Sequence, residues 1–346
     1  SQFKLNEECE SISLIIDINS QGEITDWKFS LSIIKPIQLI TEKHLKTIQK
    51  RKATSKSIPI ALKPIKDNLE VVYALLHSSK LINDSNIGSI KLDQHIPNLE
   101  RLSELQKTYP SRDFNGWSKS FDCCDPQSIL DVYIRLSNNI LANHLMGYKL
   151  PFIYKQFEDI DSSSVNELTK SALAVDNKII VNIDGSITIN ELINSFESSN
   201  EKKILHKLVK HIIPGIHLKL YKPYVDEDDD LKKHIDYNNV ESPWCCPTLN
   251  YWNIFNQYII STLLNDGKNK ASSRSKLSIE LGKKDSWNEI NWDIFSPKVK
   301  ENIDNHSKLS LVQDLNEIRK ISKSFRNNII SIAQGREAQS IIGKEV

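Results

Sequence analysis

The sequence predicts an α+β fold, with strands at the start of the chain and helices through most of the rest. Residues 11–18 (SISLIIDI) are rich in β-branched side chains, and residues 23–34 alternate apolar and polar positions with one phase slip. Ser20-Gln21-Gly22 between them is a turn sequence. These features predict a β-hairpin with a bulge. A hydrophobic content of 39% over 346 residues is typical of a folded globular chain.

Helical spacing of apolar residues begins after the hairpin. Thr41-Glu42-Lys43 opens a short helix, and residues 58–82 show a longer helical pattern with Pro59 and Pro64 in or near its first turns. Residues 88–93 predict a short strand. Asp125-Pro126 begins a helix that runs to about Tyr148, where Leu150-Pro151 ends it.

The second half of the chain predicts further helices separated by polar loops. An extended segment is expected at 217–221, and an aromatic helix follows Cys245-Cys246-Pro247. The other expected helices are 165–176, 189–196, 201–213 and a final long one at 309–334.

Charge excludes a strongly basic nucleic-acid-binding domain. The net charge is +1 and the pI is near 7.6, so any contact with a nucleic acid must be local. The best local candidate for attracting phosphate lies between the first two predicted helices. This basic patch comprises Lys46, Lys50, Arg51, Lys52 and Lys56.

Five cysteines form two adjacent pairs, Cys123-Cys124 and Cys245-Cys246, and the single Cys9. These spacings do not form a disulfide framework, so we predict free thiols and a cytoplasmic location. We interpret both pairs as small buried residues, because metal sites usually use spaced cysteines. No apolar run of about eighteen residues exists, so no membrane span is expected.

A run of five acidic residues, Asp226 to Asp230, invites a metal assignment. Consecutive side chains cannot all point inward, and such runs are usually solvated loops. We therefore predict no metal site there.

The order of several motifs resembles that of the RNB-domain exoribonucleases, the ribonuclease II and ribonuclease R family. The hairpin followed by Gln38-Leu39-Ile40-Thr41 is similar to the family's paired strands and leucine-threonine-tyrosine turn. Ser137-Asn138, then residues 150–155 (LPFIYK), resemble its helix bearing Ala-Asn and the following Leu-Pro-x-Leu-Tyr-Arg. The resemblance implies a divergent bacterial member of this family.

The segment around residue 250 resembles the Thr-Ser-Pro-Ile-Arg-Arg-Tyr sequence with which the family holds RNA phosphate. Pro247 and Tyr251 match its Pro and Tyr, whereas Leu249 and Asn250 stand where it has two arginines. From this match the resemblance implies RNA-binding roles for His217, Trp244, Cys246, Thr248, Asn250, Tyr251 and Asn253.

The resemblance also implies domains and a cofactor. Residues 1–338 correspond to the C-terminal part of an RNB domain, an antiparallel or mixed sheet packed by helices. Residues 339–346 resemble the first strand of an S1-type OB-fold, and both chain ends are expected to be cuts in a longer protein. The family's Mg²⁺-binding aspartates would lie upstream of Ser1, so no catalytic residue or metal ligand is identified in the chain.

The implied function is hydrolysis of single-stranded RNA from the 3′ end by the parent protein, the isolated chain being inactive. Two alternatives stay open. One is a non-catalytic module of the same fold that binds single-stranded RNA, and the other is a helical protein-interaction scaffold unrelated to RNA. The near-neutral net charge and the replacement of the family's two arginines by Leu249 and Asn250 favour the scaffold. The natural RNA and any protein partner are not identified by the sequence.

Overall fold

A computed structural model describes residues 4–51, 55, 57–85, 121–157, 162–174, 179, 192, 195, 216–223, 240–245 and 250–341. The chain forms two compact units, each built from separate stretches of sequence. The first comprises Ser1–Ile87, Phe121–Lys155 and Lys219–Leu309. The second comprises Gly88–Ser120, Gln156–Leu218 and Ser310–Val346.

The predicted hairpin is confirmed. Strands β1 (Cys9–Ile18) and β2 (Ile24–Ile34) pair antiparallel, with Leu14 opposite Phe29 and a bulge at Asp17/Ile18. Gly22 closes the turn at φ +82°, a conformation that residues with a Cβ rarely adopt. A Cβ there would also lie 2.4 Å from the carbonyl oxygen of Leu81.

A compact apolar core forms between α1 (Glu42–Lys50), a 3₁₀ helix (Ile60–Asn68) and α2 (Leu69–Ser85). The predicted helix at 58–82 therefore starts as a 3₁₀ helix, with Pro64 inside it. Pro64 has no N–H to donate and its ring would clash with the preceding turn of an α-helix, which accounts for the interruption of α-helical geometry here. The buried members of this core are Leu45, Ile48, Leu62, Ile65, Leu69, Val72 and Ile129.

Helix α3 (Pro126–Gly147) is buried along most of its length, as its apolar composition predicts. It ends where Lys149 takes a positive φ of 53° and the chain enters β3 (Phe152–Phe157). Strand β3 pairs with β4 (Ile216–Tyr221) in a second two-stranded sheet. The extended segment at 217–221 is thus confirmed, whereas β3 was not predicted.

The remaining elements are helical. They are α4 (Ser162–Ala174), α5 (Tyr251–Asp266), a short 3₁₀ helix (Ser286–Glu289), α6 (Pro297–His306) and α7 (Leu309–Ile341). Helix α6 was missed because its sequence is polar and buries only Ile303. Helix α7 is longer than predicted, so residues 339–341 are helical and no S1-type strand starts before residue 342.

Several expectations fall outside the described residues. These are the strand at 88–93, the helix at 201–213, nearly all of the helix at 189–196, the acidic run 226–230 and residues 342–346. No helix within the described residues combines the length and apolar character that a membrane crossing requires.

Candidate nucleic-acid interface

An aromatic cluster lies in the first unit and includes Trp244 of the segment that precedes α5. Ring centroids of its members lie between 5.0 and 6.4 Å apart, within the range of favourable aromatic packing. The cluster consists of Trp27, Phe29, His144, Tyr148, Trp244 and Trp287.

His144 occupies the centre of this cluster as a neutral imidazole. Its Nε2 lies 2.9 Å from the carbonyl oxygen of Leu281, and its Nδ1 lies 3.3 Å from the indole nitrogen of Trp27. A carbonyl can only accept and an indole N–H can only donate, so the proton is on Nε2. Burial lowers the pKa of His144 to about 4, against a smaller opposing effect of its hydrogen bond to Leu281. His144 therefore has a structural role.

The segment 240–245 runs along α3 toward the start of α5. Asn139 Nδ2 donates to the carbonyl of Val240 at 3.2 Å, and the N–H of Ser242 donates to the carbonyl of Asn138 at 3.1 Å. At the end of the segment, Ser137 Oγ lies 3.1 Å from Cys245 Sγ. These bonds fix the segment antiparallel to the helix.

Asn256 on α5 joins this segment to β3. Its Oδ1 accepts the N–H of Ile153, and its Nδ2 donates to the carbonyls of both Ile153 and Pro243, each at 2.8 Å. In the second unit Asn316 binds Leu218 of β4 similarly, accepting its N–H at 2.9 Å and donating to its carbonyl at 2.8 Å. Each carboxamide thus pairs with a strand residue as a neighbouring strand would.

The residues that the resemblance singled out differ in their exposure. Trp244 and Asn253 are buried, with 6% and 5% exposure, so neither side chain is available to a ligand in this conformation. Tyr251 is 44% exposed on the first turn of α5. His217 is exposed on β4, in the second unit. Cys246 and Thr248 lie outside the described residues.

Asn250 is the N-cap residue of α5, with extended backbone and no capping bond from its own side chain. The first turn contains no acidic residue. Because the first N–H groups of a helix lack intrahelical partners and carry the positive end of the helix dipole, this terminus favours an anion. Tyr251 lies directly beside it.

Arg135 was missed by the sequence reasoning. It lies half-buried on α3, two residues before Ser137, and its Nε is buried without a hydrogen-bond partner. Arg135 takes part in none of the ion pairs between described residues. The nearby carboxylate of Glu241 pairs instead with Lys155, at 3.7 Å. Burial lowers the pKa of Arg135, while the charges of Glu241 and Asp131 oppose that shift. The signal in the sequence is a single arginine between Ile134 and Leu136 in an apolar helix.

The predicted basic patch is partly engaged in internal contacts. Arg51 donates to Tyr73 Oη at 3.1 Å, to the carbonyl of Ser57 at 3.2 Å and to the carbonyl of Ser55. Lys46 forms an ion pair with Glu42 on the exposed side of α1. Lys52 and Lys56 lie outside the described residues. Arg51 therefore fastens its own loop, and Lys50 is left as a candidate for phosphate attraction.

The described residues do not fit a Mg²⁺ site. Within them, the one group of three candidate ligands that converge is Asp122, Cys123 and Cys124. Mg²⁺ prefers oxygen ligands in octahedral geometry, and two of these three donors are sulfur. No step of Mg²⁺ chemistry is therefore assigned to side chains of this part of the chain.

Comparison with known proteins gives the same family as the motifs. The acetazolamide conferring resistance protein zam of Synechocystis is 19% identical over 350 residues, which span 98% of this chain and 41% of that protein. Mycoplasma genitalium RNase R in complex with ribose methylated single-stranded RNA has a TM-score of 0.61 at 11% identity. The match covers 99% of this chain and 46% of RNase R.

A structure of the same RNase R in complex with double-stranded RNA gives a TM-score of 0.62 at 11% identity, over 99% of this chain and 53% of that one. These similarities show a shared fold. The chain spans about half the length of these relatives or less. The family model described as the RNB domain matches residues 2–266, which is most of the chain. The chain therefore belongs to the RNB domain family.

Proposed function

We propose that the protein to which this chain belongs hydrolyses single-stranded RNA from its 3′ end, and that this chain supplies part of the surface that holds the RNA. The observation that carries the proposal is the RNB family match over residues 2–266. The fold shared with an RNase R that was solved with single-stranded RNA supports it. Mg²⁺ in such an enzyme would polarise the scissile phosphate, and its ligands would come from residues other than those described.

The start of α5 is the part of the first unit best suited to RNA. Exposed Tyr251 offers a ring face on which a base of any sequence can stack. The start of α5 beside Asn250 carries the positive end of the helix dipole, which favours a phosphate oxygen. Lys50 at the end of α1 is a further exposed cation that would attract the RNA backbone, and exposed His217 on β4 can donate a hydrogen bond to it.

We assign phosphate binding to Arg135, a cation on α3. Leu249 and Asn250 replace both arginines of the family's phosphate-holding segment, so the guanidinium must come from elsewhere. Arg135 lies on the helix against which segment 240–245 packs, and the described residues give it no ion-pair partner. Lys155 already pairs with Glu241, which reduces the negative charge that a phosphate would meet.

A non-catalytic module that binds single-stranded RNA is the second candidate. The neutral residues at positions 249 and 250 favour it, because a developing phosphorane charge needs a nearby cation for rapid hydrolysis. The unrelated protein-interaction scaffold is a third candidate, which the net charge of +1 favours.

Incubation of the full-length protein with 3′-labelled oligo(A) and Mg²⁺ tests the three candidates together. Release of labelled mononucleotide supports the exoribonuclease. Retention of the oligonucleotide on the protein without cleavage supports the binding module. If the protein neither cleaves nor binds the oligonucleotide, only the scaffold remains as a candidate. The 346-residue chain alone is the matched control, and we expect it to release no mononucleotide.

A further inference from the structure

A turn with two thiols precedes α3 and packs on α1. The N–H of Asp125 donates to the carbonyl of Asp122 at 3.0 Å, and the N–H of Cys124 donates to Asp122 Oδ1 at 2.8 Å. Residues 122–124 form this dithiol turn. One ligand atom from each of its three residues lies within 4.8 Å of the other two.

Gln49 of α1 shows that both sulfur atoms face the same point. Its Nε2 donates to Cys123 Sγ, and Cys124 Sγ donates to its Oε1 at 2.7 Å. Adjacent side chains diverge in an extended chain, but in a tight turn they converge. The sequence interpretation of Cys123 and Cys124 as small buried residues is therefore wrong, since both are half-buried, free and directed at one carboxamide.

We propose that the dithiol turn binds a thiophilic divalent cation of the Zn²⁺ class, with Gln49 Oε1 as the fourth ligand. Two thiolates and one carboxylate are donors that Zn²⁺ accepts in tetrahedral geometry. Zn–S bonds of about 2.3 Å place two sulfur ligands about 3.8 Å apart, so the donors need to close by about 1 Å at most. Rotation of the exposed Asp122 side chain and small rotations of the two half-buried cysteine side chains can supply this movement.

Binding follows a defined proton balance. Cys123 and Cys124 each lose one proton, the two thiolates bond to the cation, and two protons are released to solvent. Nothing is oxidised or reduced. The ion would link α1 to the start of α3 through Gln49, so it should stabilise the folded chain in proportion to its concentration. This site is independent of the RNA function and of its Mg²⁺ requirement.

Titration of the reduced full-length protein with Cd²⁺ tests the proposal, because thiolate bonds to Cd²⁺ give a charge-transfer absorption in the ultraviolet. We expect saturation of this signal with an equimolar ion and a rise in the thermal midpoint. Cys123→Ser and Cys124→Ser should each abolish both effects, and Asp122→Asn should weaken binding. Zn²⁺ should displace Cd²⁺ from the parent protein.

The second cysteine pair provides the matched control. Cys245 is exposed and contacts Ser137, so Cys245→Ser removes an accessible thiol without touching the dithiol turn. This variant should keep the full Cd²⁺ signal. Circular dichroism confirms that each variant folds, and Cys124→Ala replaces Cys124→Ser where the serine variant does not. Absence of the signal in the parent, its persistence in the Cys124 variant, or its loss in Cys245→Ser would overturn the proposal.

Discussion

The side chain of Asn256 pairs with both backbone polar groups of Ile153, 103 residues earlier in the chain, with N···O distances of 2.8 Å in both bonds. A third bond of 2.8 Å reaches the carbonyl of Pro243. One fully buried carboxamide thereby joins α5, β3 and the segment that leads into the start of α5. The position of that start, and of exposed Tyr251, depends on this amide.

Replacement of Asn256 by leucine should destabilise the first unit strongly. Leucine fills a similar volume but leaves three buried backbone groups without partners, and each unpaired group costs about 1–3 kcal/mol. We expect a loss of at least about 3 kcal/mol in the free energy of unfolding, measured by urea denaturation. Asn265→Leu is the control, because Asn265 lies on the same helix but is exposed. Equal stability of the two variants would contradict the structural role of Asn256.

His144 should make the stability of the chain depend on pH. Its pKa is about 4 in the folded chain and about 6.5 when unfolded, so the unfolded chain binds the extra proton first as the pH falls. The contribution is complete above about pH 6.5 and is lost between about pH 6.5 and 4, to a total of about 3 kcal/mol. His144→Gln should flatten this part of the profile, whereas exposed His77→Gln should not.

Gly147 and Gly335 should respond to alanine in opposite directions. A Cβ on Gly147 would lie 2.3 Å from the ring of Trp287, within the aromatic cluster, so Gly147→Ala should cost about 1–3 kcal/mol. A Cβ on Gly335 meets nothing within 4 Å on α7, and Gly335→Ala should stabilise that helix by up to about 1 kcal/mol. Thermal midpoints of the two variants check the pair. A neutral Gly147→Ala would mean that Trp287 moves aside easily.

Asn250→Arg in the full-length protein should strengthen binding to single-stranded RNA. A guanidinium adds a charge-assisted fork where the N-cap now carries a neutral amide. The slope of log affinity against log salt should steepen by up to about one unit, because one more phosphate is contacted. Asn250→Gln is the uncharged control. A loss of stability with unchanged affinity would place residue 250 away from the RNA path.

Arg135→Met should weaken RNA binding by about ten- to a hundredfold, since a charged hydrogen bond contributes about 1.5–3 kcal/mol. Methionine keeps much of the side-chain length and suits the apolar surroundings on α3. The salt slope should become shallower by up to about one unit. Arg274→Met removes the same charge from an exposed loop of the first unit and should leave the affinity unchanged. Equal effects of the two variants would show that only net charge matters.

The spacing of apolar residues along the sequence predicted the elements whose formation depends on neighbouring residues. The alternation of apolar and polar residues predicted the hairpin. It is a reliable pattern here because a shift of one residue would move the buried Phe29 to the solvent face. The helical spacing of apolar residues predicted α3 and α5. Strand β3 was missed because Phe152-Ile153-Tyr154 is a continuous apolar run without alternation. The roles of Asn256 and His144 could not be predicted, since their partners lie 103 and 137 residues away in the sequence.

Among the candidate site residues, the sequence did not predict the orientation of each side chain. Trp244 aligns with a family residue in a phosphate-holding segment, yet its ring packs 5.7 Å from that of Phe29 in the core. A shift of two residues along a helix or loop changes whether a side chain is buried or exposed. No pattern in a single sequence distinguishes these two cases for residues 244–253. The role proposed for Arg135 was missed because it depends on which chain segment packs beside α3.

The two carboxamides on the second sheet also influence how the chain behaves in a crowded solution. The N–H and C=O of a strand residue point to the same side, so Asn256 on Ile153 and Asn316 on Leu218 occupy the outer sides of β3 and β4. The N–H of Lys155, bonded to the carbonyl of Glu241, continues this cover along β3. A foreign strand finds no free ladder of donors and acceptors at these positions. Among the described residues, these side-chain and backbone contacts cover the outer edges of β3 and β4 and oppose edge-to-edge aggregation.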